Sequence, residues 1–194
     1  MKYIILSLSL LLSFSVFGNT YETITGKEIK SEKPVVQMYF YYGCPHCLEM
    51  EKKIYNWIEK NNYQDKVKLE KIPFYFGSLS ESAAKHYYTS IVLNTENKFS
   101  EKYYNEAVLK NKKISDELAI SILDDYSEKK LVIDNLNSHY IKDKVNYAKE
   151  MTKKYNVKSV PTLIVNGKYK VNASITQDKE AVYKSLKTMI DREL

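Results

Sequence analysis

Two cysteines are all this chain contains, and they stand three positions apart, as Cys44 and Cys47. A disulfide stabilises a fold chiefly by restricting the unfolded chain, and more so the longer the loop it closes. Closing so short a loop restricts very little, so the pair reads as chemistry rather than as a staple. Clustered charge is also missing. The chain has 30 Lys+Arg, 24 Asp+Glu and a net charge of +6, yet no basic run exceeds two residues. Interspersed charges of this kind describe a solvated surface, and no nucleic-acid partner is expected. Internal repeats and low-complexity linkers are absent, and no proline interrupts the stretch between Pro73 and Pro161.

Long apolar runs are missing as well. Tyr3 to Phe17 carry no charge, but the stretch is short for a membrane span of about 20 residues. Lys2 precedes it, and Val16 and Gly18 stand at positions −3 and −1 of a cleavage after Gly18. This is the pattern of a secretory signal peptide. Residues 1–18 are therefore expected to be removed on export. The remainder, Asn19 to Leu194, suits one domain or one domain with an insertion.

What is present begins with Val35–Tyr42, a nearly unbroken apolar and aromatic run expected to be a strand buried on both faces. Gly43 ends it, and Pro45 suits the first helical position. Cys47, Met50, Ile54, Trp57 and Ile58 then form one apolar stripe at helical spacing, closed by Asn61-Asn62. Val67–Phe76 reads as the next strand, which makes a βαβ unit with a parallel pair. From Ser78 to Asn156 the pattern is helical. Ser78-Leu79-Ser80-Glu81 has the spacing of a capping box, and amphipathic stretches follow near 99–108, 115–125, 128–137 and 145–155. Tyr87, Tyr88, Tyr103, Tyr104 and Tyr147 are read as helix-packing residues. Thr162–Val165, Asn166-Gly167 and Lys168–Val171 form a hairpin signal, and a last helix is expected from about Thr176.

At Cys44-Pro45-His46-Cys47 the helix start acquires chemistry. With Cys44 as N-cap, its sulfur faces the free amides of the first turn, which together with the helix dipole favour a thiolate. Pro45 donates no amide and presets the helical φ, His46 adds a donor or a positive charge, and Cys47 lies one turn deeper on the same side. Thiols titrate near ~8.5 when unperturbed and at about 3.5–7.5 at helix N-termini. A folded pKa of about 4 at Cys44 would favour the reduced protein by roughly 4 kcal/mol at pH 7, or about 90 mV toward the oxidising side. Other uses of the motif fit less well. A c-type haem site needs His directly after the second Cys, where Leu48 stands. Zinc needs four ligands, and His86 and His139, isolated on helical stretches, are expected to be solvated. No metal and no cofactor beyond the Cys44–Cys47 disulfide is expected.

CPHC opening a helix after an aromatic strand resembles the DsbA family of periplasmic dithiol oxidases, whose own cysteines help define the low end of the pKa range above. Val157-Lys158-Ser159-Val160-Pro161-Thr162, followed by Val165-Asn166-Gly167-Lys168-Tyr169, is similar to that family's cis-proline loop and hairpin. The resemblance implies an α/β thioredoxin-like fold with an inserted α-helical domain, divided as 19–76 and 157–194 around an insertion at 77–156. It implies that Cys44 attacks, Cys47 resolves, His46 tunes the thiolate, and Val160 and cis-Pro161 hold extended substrate backbone. Glu51 and Lys71 match two members of the family's buried charged group, but its strand acid, six positions before the first cysteine, is Met38 here. The partners so implied are exported proteins with free cysteines and a membrane re-oxidising protein of the DsbB type, with the chain itself a monomer. A reductase or isomerase kept reduced by another membrane protein remains open, though CPHC and the lack of a dimerisation segment before Glu22 argue against the isomerase. A copper-binding or holdase protein using the dithiol as ligands also remains, with Met50 the single nearby Met to support it.

Overall fold

The structure is a computed structural model that describes residues Thr20–Leu194, so residues 1–18, read as a signal peptide, lie outside the described residues. Among the described residues no helix is long and apolar enough to cross a membrane.

Five strands form one sheet: β1 (Glu22–Thr23), β2 (Val35–Phe40), β3 (Lys68–Pro73), β4 (Thr162–Val165) and β5 (Tyr169–Asn172), in the order β1-β5-β4-β2-β3. Every residue of β2 is buried, as its nearly unbroken apolar run requires of a strand covered on both faces. It pairs parallel with β3, across the crossover helix α1 (Pro45–Lys60), and antiparallel with β4. The apolar stripe of α1 buries Cys47, Met50, Ile54 and Ile58. At the hairpin, Asn166 and Gly167 take positive φ, and the Lys168 amide donates to Val165 O at 2.9 Å. This is the thioredoxin-like arrangement implied by the resemblance, with helices inserted between β3 and β4.

Those helices are α2 (Ser78–Val92), α3 (Glu96–Tyr104) running into a π turn (Asn105–Leu109), α4 (Asp116–Leu123), α5 (Lys129–Leu136) and α6 (His139–Lys154). α2 is central to the block and packs on α3, α4, α5, α6 and β3. Several expectations are corrected here. No capping box forms: Gly77 is the N-cap of α2, and the Ser80 hydroxyl accepts from the Phe76 amide and donates to Gly77 O. α6 starts earlier than its apolar spacing suggests, because Ser138 caps it by accepting from the Ile141 amide. The last helix is split. α7 (Ala173–Thr176) ends where Gln177 turns to φ +58°, and Asp178 caps α8 (Lys179–Asp191). Tyr87, Tyr88, Tyr103 and Tyr104 are buried as expected, whereas Tyr147 is exposed.

His139 is on the surface, but His86 is not the solvated residue expected: it is fully buried. Its Nδ1 pairs with the Tyr103 hydroxyl at 2.7 Å and its Nε2 with Asp116 Oδ1 at 2.7 Å. Partners from α3 and α4 thus satisfy both ring nitrogens, which spacing along α2 cannot reveal. Burial lowers the His86 pKa, although Asp116 acts to raise it. Replacing His86 with Ala would leave the Tyr103 hydroxyl unpaired in the core and open a cavity. The expected loss is about 2–4 kcal/mol, read as a lower urea midpoint at unchanged slope.

Candidate active site

β2 ends against the start of α1, and the turn between them places Cys44. Gly43 leaves room there for the Tyr41 ring, whose Cε1 a Cβ would meet at 2.5 Å. Cys44 is the N-cap of α1, with extended backbone, and Pro45 occupies the first turn. Its carbonyl accepts from the Cys47 amide at 3.0 Å and the Leu48 amide at 3.2 Å. The two sulfurs differ sharply in setting: Cys44 is half-buried and Cys47 fully buried, and both are free thiols.

Electrostatics separates them further. The Cys47 thiol and the amides of Cys47 and His46 all stabilise a Cys44 thiolate, with a smaller contribution from the His46 charge, and bring its pKa down to about 6 against the opposing effect of burial. Burial, together with the neighbouring Cys44, pushes Cys47 far up. Loss of water from the half-buried sulfur opposes the thiolate, an effect that the N-cap position alone does not show. A folded pKa below the unfolded ~8.5 stabilises the reduced state fully above about pH 8.5, and this is lost as pH falls through about 6. At pH 7 the gain is at most about 1.4 kcal/mol before solvent screening, or about 30 mV. In a titration followed by thiolate absorbance, Cys44 is expected to ionise near pH 6 with Cys47 silent. A single step at pH 8 or above would remove the activated nucleophile.

Facing the dithiol is the loop before β4. The Val160–Pro161 peptide bond is cis, and the Cys44 thiol donates to Val160 O at 3.7 Å. Asn172, which sequence reasoning missed, holds this loop: its Nδ2 donates to Thr162 Oγ1 at 3.0 Å and to Ser159 Oγ at 3.3 Å. Beside the loop lies a largely apolar groove of about 210 Å³, bordered by His46, Met50, Val160, Pro161, Val182 and Tyr183. Glu49, Lys53 and Lys179 form ion pairs along its rim, at 3.0 and 2.8 Å.

Behind the dithiol, Lys71 on β3 meets Glu51 on α1 at 2.5 Å and also pairs with Glu96 on α3. Met38 is buried and lies opposite Lys71 in the parallel register. Sequence reasoning found Glu51 and Lys71 but not Glu96, which belongs to the helical block and has no spacing relation to the motif. Among the described residues no group of three or more His, Cys, Asp or Glu could hold a metal ion. A reactive half-buried sulfur, a shielded thiol behind it and an open carbonyl beside it can form and resolve mixed disulfides with an extended polypeptide.

The comparisons agree with that chemistry. A family model described as thioredoxin matches residues 22–192. The chain is similar to the thiol:disulfide interchange protein DsbA of Pseudomonas syringae pv. tomato, 30% identical over 156 residues that cover 79% of this chain and 72% of the relative. The DsbA of Burkholderia cepacia is 30% identical over 163 residues, covering 76% and 74%. Among solved structures, Pseudomonas aeruginosa DsbA superposes with a TM-score of 0.81 at 26% identity, covering 90% of this chain and 92% of that one.

Proposed function

The chain belongs to the DsbA family of thiol:disulfide interchange proteins, thiol:disulfide oxidoreductases whose redox group is a cysteine pair, and on that premise we propose that it donates a Cys44–Cys47 disulfide to cysteine pairs of exported proteins in the periplasm. A signal peptide at 1–18 delivers it there, and a membrane protein of the DsbB type re-oxidises the monomer. Residues 19–76 and 157–194 form the catalytic domain and 77–156 the insertion over it. The observation that carries this reading is the opposed ionisation of the two sulfurs.

In the proposed cycle a substrate thiolate bonds to Cys44 Sγ, and the electron pair of the S–S bond leaves on Cys47 Sγ, which takes a proton. The second substrate thiolate then attacks the substrate sulfur of the mixed disulfide and expels Cys44 as a thiolate. The substrate leaves oxidised and the dithiol reduced. Pro45 and His46 set the N-terminal turn, and Val160 with Pro161 holds the substrate strand through backbone contacts, a short form of β-augmentation. Glu51 and Lys71 support the buried thiol.

The redox potential of the Cys44–Cys47 couple against glutathione tests the direction. A value less negative than about −180 mV is expected of a donor. One near about −270 mV, the range of thioredoxin, would assign the chain to the reductases. Replacing His46 with Ser removes a group that favours the thiolate, so it should raise the Cys44 pKa and make the potential more negative. An unchanged potential in that variant would take the tuning role from His46.

A further inference from the structure

Opening the Cys44–Cys47 disulfide leaves the bonding pair on a fully buried sulfur, and a buried thiolate must take up a proton. Met38, standing where the family keeps its strand acid, has none to give. Two residues of α3 stand near that place instead. Glu96, in its first turn, joins Glu51 on Lys71. Tyr104, its last residue, is 1% exposed, and the chain turns π-helical directly after it. Among the described residues neither the Tyr104 hydroxyl nor Glu51 Oε2 has a hydrogen-bond partner.

We propose that Glu96 and Tyr104 complete the proton route to Cys47: Glu96 shares Lys71 with Glu51, Glu51 carries the proton, and the Tyr104 hydroxyl passes it from Glu51 to the Cys47 sulfur. This deepens the thiol–disulfide reading and rests on it. Lys71, Glu51 and Glu96 have side chains only 4, 14 and 16% exposed. Two carboxylates on one ammonium leave a buried net charge of about −1, and holding one proton removes it. Burial works against the Lys71 ammonium, yet the carboxylates keep its pKa above the usual lysine value, so the exchangeable proton belongs to the acids. Burial raises Glu51, Lys71 offsets this only in part, Glu96 raises it further, and the nearby Tyr104 hydroxyl lowers it.

Position singles out Tyr104. Its hydroxyl is buried with no partner of its own among the described residues, and Glu51, Cys47, Tyr42 and Cys44 are the charged or ionisable groups that act on it. The other phenols nearby are less suited. Tyr42 is paired with Ser100 at 2.7 Å, and Ser100 donates to Glu96 at 3.1 Å. The Tyr87 hydroxyl donates to Lys71 O at 3.3 Å, and Tyr55 is exposed. As Cys47 leaves as a thiolate, Tyr104 Oη–H donates to Sγ and accepts the proton of Glu51 Oε2–H. One proton moves from Glu51 to Cys47, and the charged group regains it from solvent.

The test is the single-turnover reduction of the oxidised protein by dithiothreitol, quenched by alkylation, across pH and in H₂O and D₂O. Tyr104→Phe removes only an unpartnered hydroxyl and is expected to slow the reaction on the order of ten- to a hundredfold near neutral pH. It should also lose the solvent isotope effect while leaving the Cys44 titration in place, which a merely structural role would not do. Glu96→Gln should slow the same step, and adding Met38→Glu to it should restore the rate by returning an acid to the strand. A Tyr104→Phe protein with the wild-type rate and isotope effect at every pH overturns the relay. Glu96→Gln at the wild-type rate overturns the part given to Glu96. Failure of the wild-type protein to react with dithiothreitol would instead strike the oxidoreductase reading itself.

Discussion

A Cys47→Ser protein is expected to lose dithiol oxidation entirely, falling to the uncatalysed rate with a reduced model peptide. The two sulfurs have separate tasks in the proposed cycle. Cys44 is half-buried with a pKa near 6, and Cys47 is fully buried with its pKa pushed far up. Without Cys47 no disulfide exists to donate, so the variant offers only the Cys44 thiolate. Incubated with excess glutathione disulfide it should form a mixed disulfide at Cys44 and stop there, because no Cys47 thiol remains to displace the glutathione. Serine nearly matches the volume of cysteine, but its hydroxyl would be buried, so a stability loss of about 1–3 kcal/mol is expected. Continued dithiol oxidation by Cys47→Ser would show that Cys47 is not the second sulfur of the donated disulfide and would end the reading given to this pair.

Pro161→Thr should arrest the cycle at a later point. Val160 O lies 3.7 Å from Cys44 Sγ, and Pro161 borders the groove beside it. Proline presents no backbone N–H there. Threonine adds an N–H and a hydroxyl beside the sulfur, and both can bond the backbone of a substrate attached to Cys44. First attack should then proceed nearly normally while release slows, so mixed disulfides between Cys44 and exported proteins accumulate. In cells this should be seen as a ladder of adducts on non-reducing gels that collapses on reduction. Clean turnover without trapped complexes would remove the substrate-holding role from Val160 and Pro161.

How much of this was legible in the chain depends on the reach of each interaction. The pair Cys44 and Cys47, the N-cap position, Pro45 in the first turn and the apolar stripe of α1 were all readable, because they depend on residues within a turn or two of one another. β2 was readable because a strand covered on both faces leaves an apolar run, here broken only by Gln37. The Asn166-Gly167 turn was readable because few other pairs take positive φ twice in succession. Cap assignments failed where a neighbouring segment competed. Ser78-Leu79-Ser80-Glu81 has the right spacing, but the chain arriving through Phe76 takes the Ser80 hydroxyl.

The residues that only the tertiary structure revealed are those whose partners come from other elements. His86 looked solvated on its helix until α3 and α4 supplied Tyr103 and Asp116. Glu96 stands 25 positions from Lys71, and Asn172 10 from Thr162, so no local pattern joins them. The cis form of Val160–Pro161 came from family resemblance alone, since only about 5–6% of X–Pro bonds are cis. Sequence by itself therefore determined the redox motif, the helix that activates it and the order of the strands' neighbours along the chain, all set by local covalent and helical geometry. Tertiary packing decided how far Cys44 is ionised and which acids stand behind Cys47. Those depend on desolvation and on charges that folding brings together from distant parts of the chain.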